Sequence, residues 1–302
     1  MKFGRIPGVA APVSRVVMGA VEKLALAQAL YDDFFESGGN CFDTAWIYGG
    51  GACEKNLGHW VKSRNIRRKV IILDKGAHTP FCTPKDLTAQ LMESLERLQT
   101  DYVDVYMLHR DNPEVPVGEF VDALNEHRQA GRMRVYGGSN WSLERVEAAN
   151  EYARSRALAG FAAISNNFSL ARMVEAPVSG CLASSDARSR EWFRRTQMPL
   201  MSWSSQACGF FAGAASPENR SNPEFARCWY SEDNFLRLAR ARELAAKRGV
   251  QPINIALAYV LCQPFPTFAL IGPGTLDHLR VALQGLEVQL APEELRRLNL
   301  ED

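Results

Sequence analysis

The chain has 302 residues, 46% of them hydrophobic and 23% charged, with 35 Lys and Arg against 34 Asp and Glu. That supports a large buried core, and a formal net charge of +1 offers no handle to nucleic acid or to an anionic membrane surface. No apolar run approaches a membrane span and the opening MKFGRIPGVAAP does not read as a secretory signal. The seven cysteines form no Cys-x-x-Cys pair, so the expectation is a reducing, cytoplasmic setting without a metal site.

The first strand-like run covers 13–20. A helical pattern over 22–39 follows, with apolar residues three and four apart and a stop at glycine. The second run, 41–45, leads into NCFDTAWIYGGG (40–51), where an acid and a phenol five residues apart precede three glycines. The third run is 70–75. Thr83, Pro84 and Asp86 then open a helix over 83–100. Runs at 103–109 and 134–139 bracket a helix over 116–130, and 142–157 reads as another. The sixth and seventh runs are 162–165 and 200–205. The segment 206–233 lacks periodicity and is rich in Gly, Ser, Asn and Pro, which marks a long loop of functional kind. Helices over 234–248 and 252–263, the eighth run at 267–272 and a helix over 275–286 complete the pattern.

Eight strand–helix units with no dividing linker predict a single-domain (β/α)8 TIM barrel over 1–302, with the long loop 206–233 after the seventh strand. A doubly wound sheet is the competitor. It would carry a glycine-rich dinucleotide turn after its first strand, and VVMGAVEKLALA has no G-x-G-x-x-G.

In a barrel, chemistry sits at the C-terminal strand ends. Those ends carry Asp43 with Tyr48 just beyond, then Lys75, His109, and Ser139 with Asn140. Singly, each has an ordinary reading: a solvated loop lysine, a structural histidine, a turn aspartate, a tyrosine at the rim. Together at successive ends, they suit proton delivery. An unperturbed phenol, at about 10, is a poor acid at neutral pH; a nearby ammonium lowers that value, and a carboxylate aims the ammonium. Such a set fits carbonyl reduction by hydride, and with no redox-metal pattern the hydride is expected from a nicotinamide.

These motifs resemble the aldo-keto reductases. FDTAWIYGGGACEKNLG is similar to the family's second-strand motif, and the likeness runs on through Lys75, MLHRD, GGSNW, SWSSQACGFFAG and ALIGPGTLDHL. The resemblance implies Tyr48 as general acid, Asp43 and Lys75 as its tuning pair, and His109 orienting the carbonyl. It implies a nicotinamide side at Asn140, Ser139 and Trp203, with Gly19 and Ser165 beside it. Ser204, Gln206, Ala207 and Gly209 would line the pyrophosphate, and Ile271, Gly272, Gly274, Thr275 and His278 the adenosine. Trp46 and Trp141 would wall a pocket for a small carbonyl or alcohol substrate, with loops 77–83, 111–115 and 176–190 around it.

This chain departs from the family pattern in three places. Ser165, followed by Asn166 and Asn167, replaces a glutamine; Gly274 stands where relatives carry a basic residue; Ala282 replaces an asparagine. The family implies NADPH, whereas Gly274 implies relaxed NAD(P)(H) specificity. A nucleotide-binding regulatory barrel with little turnover is the alternative function. A lyase or isomerase using Lys75 as a Schiff-base amine is a third.

Overall fold

The computed structural model describes residues 1–301. Eight parallel strands close into a barrel: β1 (Val16–Met18), β2 (Cys41–Asp43), β3 (Ile71–Gly76), β4 (Val103–Leu108), β5 (Met133–Ser139), β6 (Ala163–Ser165), β7 (Leu200–Ser202) and β8 (Thr267–Ile271). The ring shuts where Ala269, Leu270 and Ile271 pair with Val16, Val17 and Met18. The eight runs of the sequence are these strands in order. Only the first divides: Val13–Ser14 pairs antiparallel with Phe3–Gly4, and Val16–Met18 alone enters the barrel. Two-residue strands are too short to leave a period in sequence.

Around the barrel run α1 (Leu24–Glu36), α2 (Ala52–Ser63), α3 (Pro84–Leu98), α4 (Val117–Gln129), α5 (Leu143–Ser155), α6 (Ala187–Thr196), α7 (Pro223–Trp229), α8 (Glu232–Arg248), α9 (Pro252–Leu261), α10 (Leu276–Gln284) and α11 (Pro292–Leu298). Thr83 and Asp86 close a capping box on α3, each side chain accepting from the other's backbone N–H at 3.2 and 3.1 Å. The sequence pattern did not announce α2, α6 or α11. Gly58 disguises α2: a Cβ there would lie 2.5 Å from the Leu98 carbonyl, so glycine is what lets α2 cross α3. In α6 only Ser189, Trp192 and Phe193 are buried, so its apolar stripe is thin, and part of the expected loop 176–190 is this helix.

The segment 206–233 is packed, not loose. It contains a 3-10 stretch, Ala207–Ala212, and then α7. Phe210 is fully buried, with the rings of Phe211, Phe225, Tyr230 and Phe235 at 5.3 to 6.1 Å. Aromatic spacing without helical period hid this hub. Among the described residues, no helix is long and apolar enough to cross a membrane.

One apolar cluster takes residues from all eight barrel strands and none from the helices, among them Val17, Cys41, Leu73, Met107, Ala163 and Met201. It is the barrel interior. Side chains alternate along a strand, so the residues two positions further on face the same axis at its C-terminal mouth. From Cys41, Leu73, Met107, Ala163 and Met201 that step reaches Asp43, Lys75, His109, Ser165 and Trp203.

Candidate active site

Strand register assembles the charged groups. Cys41 pairs with Ile71 and Asp43 with Leu73, so Lys75 stands one inward step above Asp43 on the neighbouring strand. Its Nζ donates to Asp43 Oδ1 at 2.5 Å and to the Thr44 carbonyl at 2.8 Å. It also lies 4.8 Å from the Tyr48 ring centroid. The Tyr48 ring meets His109 edge-on, with centroids 5.4 Å apart. Asp43, Lys75, Tyr48 and His109 are therefore brought together.

Tyr48 begins a short turn in which Gly49, Gly50 and Gly51 have φ of 56°, 59° and 91°. Other residues adopt those angles only with strain. At Gly51 a Cβ would also lie 2.6 Å from the Arg97 guanidinium carbon. That close approach lets Arg97 donate to the Trp46 carbonyl and to buried Glu54, each at 2.9 Å. The Trp46 indole N–H donates to Glu93 at 2.6 Å. Trp46, partly exposed beside Tyr48, is thus clamped at both backbone and ring.

The electrostatics are those of a dry pocket. Burial pulls the Lys75 ammonium down, but Asp43 and Tyr48 more than offset it and hold it above its ordinary value. Burial pushes the Asp43 carboxyl up against the pull of Lys75. The 2.5 Å contact and the second bond to Thr44 are those of an ammonium–carboxylate pair. Burial, with Lys75, Arg110 and His78, holds His109 well below its usual range, so its imidazole is neutral. Burial also raises the Tyr48 phenol; Lys75 and Arg110 oppose the rise and Asp43 adds to it. This corrects the expectation that Lys75 draws the phenol below its ordinary value: the lysine moderates a rise caused by burial. At neutral pH Tyr48 keeps its proton.

The opposite arc of the mouth is neutral. The Gly19 N–H donates to the Ile271 carbonyl at 2.8 Å, and a Cβ there would sit 2.8 Å from that oxygen. Ser139 Oγ donates to the Ser165 carbonyl at 2.9 Å. Asn140, at φ 58°, accepts from the Leu182 N–H at 3.0 Å and donates to Ser139 Oγ at 3.1 Å, so its amide ties strand ends together. Ser165 Oγ and Trp203 Nε1 are buried without a protein partner, as are the Oδ1 atoms of Asn166 and Asn167. Ser204, Ala207, Cys208 and Gly209 have φ of 46°, 49°, 52° and 84°. They make a tight turn closed on itself, the Ala207 N–H donating to the Ser204 carbonyl at 2.8 Å and the Gly209 N–H to the Gln206 carbonyl at 3.1 Å. Gln206 packs below, its amide donating to Ile253 O at 3.5 Å. Beyond Ile271, Gly272 faces open space and Gly274 leaves room up to the His278 imidazole, 3.6 Å from where a Cβ would be. Thr275 caps α10 by accepting from the His278 N–H at 3.1 Å. Orphaned polar atoms near the axis, at Ser165 and Trp203, and a tight left-handed turn at the rim fit a dinucleotide. Ser165, Trp203 and the 204–209 turn would hold it.

Trp141 is corrected. It is wholly buried in the layer between barrel and helices, against Phe120 and Phe161, with its indole N–H donating to the Arg110 carbonyl at 3.1 Å. It follows Asn140 off the axis and walls no cleft. Two neighbours of the site carried no assignment in sequence. His78 meets His109 edge-on with centroids 4.9 Å apart, and Arg110 is 6% exposed. For Arg110 the available signal was a cation directly after a strand-end histidine.

The family model described as "Aldo/keto reductase family" matches residues 21–300. An uncharacterized oxidoreductase of Bacillus subtilis, YrpG, is 28% identical over 95% of this chain and 91% of its own. A probable aryl-alcohol dehydrogenase of Saccharomyces cerevisiae, AAD4, is 28% identical over 93% of this chain and 88% of its own. The crystal structure of a thermostable aldo-keto reductase, Tm1743, superposes with a TM-score of 0.76 at 22% identity, over 100% of both chains, and so shares the fold. The chain belongs to the aldo/keto reductase family, as an oxidoreductase built on a (β/α)8 barrel.

Proposed function

We propose that this protein interconverts an aldehyde or ketone and the corresponding alcohol with NAD(P)(H), Tyr48 serving as the general acid. The observation that carries the reading is the buried Asp43–Lys75 pair set 4.8 Å from the ring of a protonated phenol. A reduced nicotinamide held by Ser165, Trp203 and the 204–209 turn would supply the hydride. As negative charge grows on the carbonyl oxygen, Tyr48 passes its proton to that oxygen. Lys75 limits the cost of the phenolate left behind, and Asp43 keeps the ammonium charged and aimed. The neutral His109 imidazole can donate a hydrogen bond to the same oxygen without adding a competing charge. Because Lys75 is held as an ammonium, it is a poor Schiff-base nucleophile, which argues against the lyase reading.

The family prior favours NADPH. The residues at the adenosine side favour relaxed choice, since Gly274 offers no cation, Arg280 pairs with Asp33 at 2.7 Å and Arg220 lies over Tyr230 at 5.8 Å. The test is oxidation of NADPH and NADH in the presence of a panel of aromatic and aliphatic aldehydes. Saturable turnover is expected. Tight cofactor binding with no turnover across the panel would overturn the reading in favour of a regulatory barrel.

A further inference from the structure

Arg110 is a buried cation without a counter-ion. Its Nη1 donates to the His109 carbonyl at 2.9 Å and its Nη2 to Cys181 Sγ at 3.3 Å, and its Nε is buried with no partner. Among the described residues no carboxylate lies within ion-pair reach of it. The acid next to it in sequence and the acid of the proton-delivery pair are already engaged: Asp111 accepts from both Nε and Nη2 of Arg145, at 2.9 and 2.7 Å, and Asp43 takes Lys75. Lys75 and Arg145 are therefore neutralised, and Arg110 is not.

A guanidinium cannot shed its proton to escape this cost, and a backbone carbonyl with one thiol, a weak acceptor, satisfies only part of its donor fork. Its charge reaches the reacting groups: it pulls His109 and His78 down and opposes the rise of the Tyr48 phenol. The cover over it is thin: the exposed backbone of Gly180, at φ 78°, packs against its stem, and a Cβ there would sit 3.4 Å from Arg110 Cδ and 3.5 Å from Nε. A larger residue would add a side chain over that nitrogen.

We infer that Arg110 is the receptor for a carboxylate on the substrate, so that the preferred substrates are small carbonyl compounds that also carry a carboxylate. This rests on the reductase reading and deepens it. The planar fork matches a carboxylate edge with two parallel N–H donors, and the weak thiol contact is the one an incoming anion would displace. The carboxylate stays unchanged through the reaction. It anchors the molecule off the barrel axis while the carbonyl oxygen lies between Tyr48 and His109.

The test compares para-formylbenzoate with its methyl ester, a neutral analogue, for wild type and for Arg110→Met. Wild type is expected to favour the acid by at least about tenfold in kcat/KM, mostly through KM, which is about 1.4 kcal/mol. In Arg110→Met the ratio is expected to collapse towards one. Gly180→Val, which adds a side chain over Nε, is expected to lower the acid's kcat/KM more than the ester's. A wild-type ratio near or below one, or a ratio unchanged in Arg110→Met, overturns the inference. If neither aldehyde is reduced, the aldehyde panel decides the reductase reading, and calorimetry with benzoate and benzamide decides the site independently. Benzoate binding to wild type, weaker for benzamide and lost in Arg110→Met, supports the carboxylate site. Equal binding of the two, no binding, or displacement by inorganic phosphate alone overturns it.

Discussion

The two arcs of the barrel mouth are built from different materials. On the β2–β4 arc most of the groups carry charge and are paired: Lys75 has Asp43, Arg145 has Asp111 and Arg97 has Glu54, while Arg110 is left without a counter-ion. On the β6–β8 arc they are hydroxyls, amides, an indole and backbone N–H groups, several of them buried with no partner. The first arc holds its proton-delivery pair already assembled in the bare protein, with Arg110 beside it open to a substrate group; the second is a mould for the cofactor, made of neutral polar atoms. Catalytic power is therefore expected to depend on individual side chains of the first arc, and binding to be spread over many weak contacts of the second.

The sharpest way to break that contrast is Lys75→Met. It removes the cation beside the phenol, so turnover is expected to fall by at least about 100-fold. It also strands Asp43 in a buried site, and unfolding free energy is expected to drop by about 3–5 kcal/mol. The double variant Asp43→Asn with Lys75→Met should regain most of that stability and none of the turnover. Urea denaturation read beside steady-state kinetics checks both parts. A single variant as stable as wild type would mean that the pair does not anchor this arc.

A pH profile sharpens the same point. Burial raises the Tyr48 phenol, and the protonated form is the one that donates. Reduction should therefore stay level through neutral pH and decline only above 10.0, the ordinary phenol value, while alcohol oxidation should keep rising with pH. Because His109 is neutral from burial, no inflection near its ordinary 6.5 is expected in kcat. An inflection there that vanishes in His109→Asn would contradict the neutral imidazole.

On the binding arc a single substitution should have a smaller effect. Wild-type preference for NADPH over NADH in kcat/KM is expected to stay below about 100-fold, or about 2.7 kcal/mol. Gly274→Arg should move the ratio towards NADPH by supplying a fork for the 2′-phosphate. A wild-type preference above about a thousandfold would reveal another basic residue at that phosphate.

The same contrast governs what could be read in the sequence. Charged residues after apolar runs mark strand ends, so Asp43, Lys75 and His109 were legible, and strand alternation explains why they share one axis. Trp141 was misread because an aromatic after a strand end looks alike whether it lines a cleft or plugs the helix layer. The phenol's direction was misread because sequence supplies the neighbouring ammonium but not the depth of burial. Arg110 was visible as a residue, yet its lack of a partner is a property of three dimensions. On the other arc, the left-handed turn at 204–209 and the aromatic hub around Phe210 are made by backbone angles and packing that no periodicity announces.

The central claim is that Tyr48 delivers the proton, and Tyr48→Phe tests it most directly. Single-turnover oxidation of bound NADPH by a good aldehyde isolates the chemical step, and tryptophan quenching reports cofactor affinity. The account predicts a fall of at least about 100-fold in the chemical step, about 2.7 kcal/mol in barrier, with nucleotide affinity nearly unchanged. A variant that keeps more than about half of the wild-type rate in that step would show that another group carries the proton.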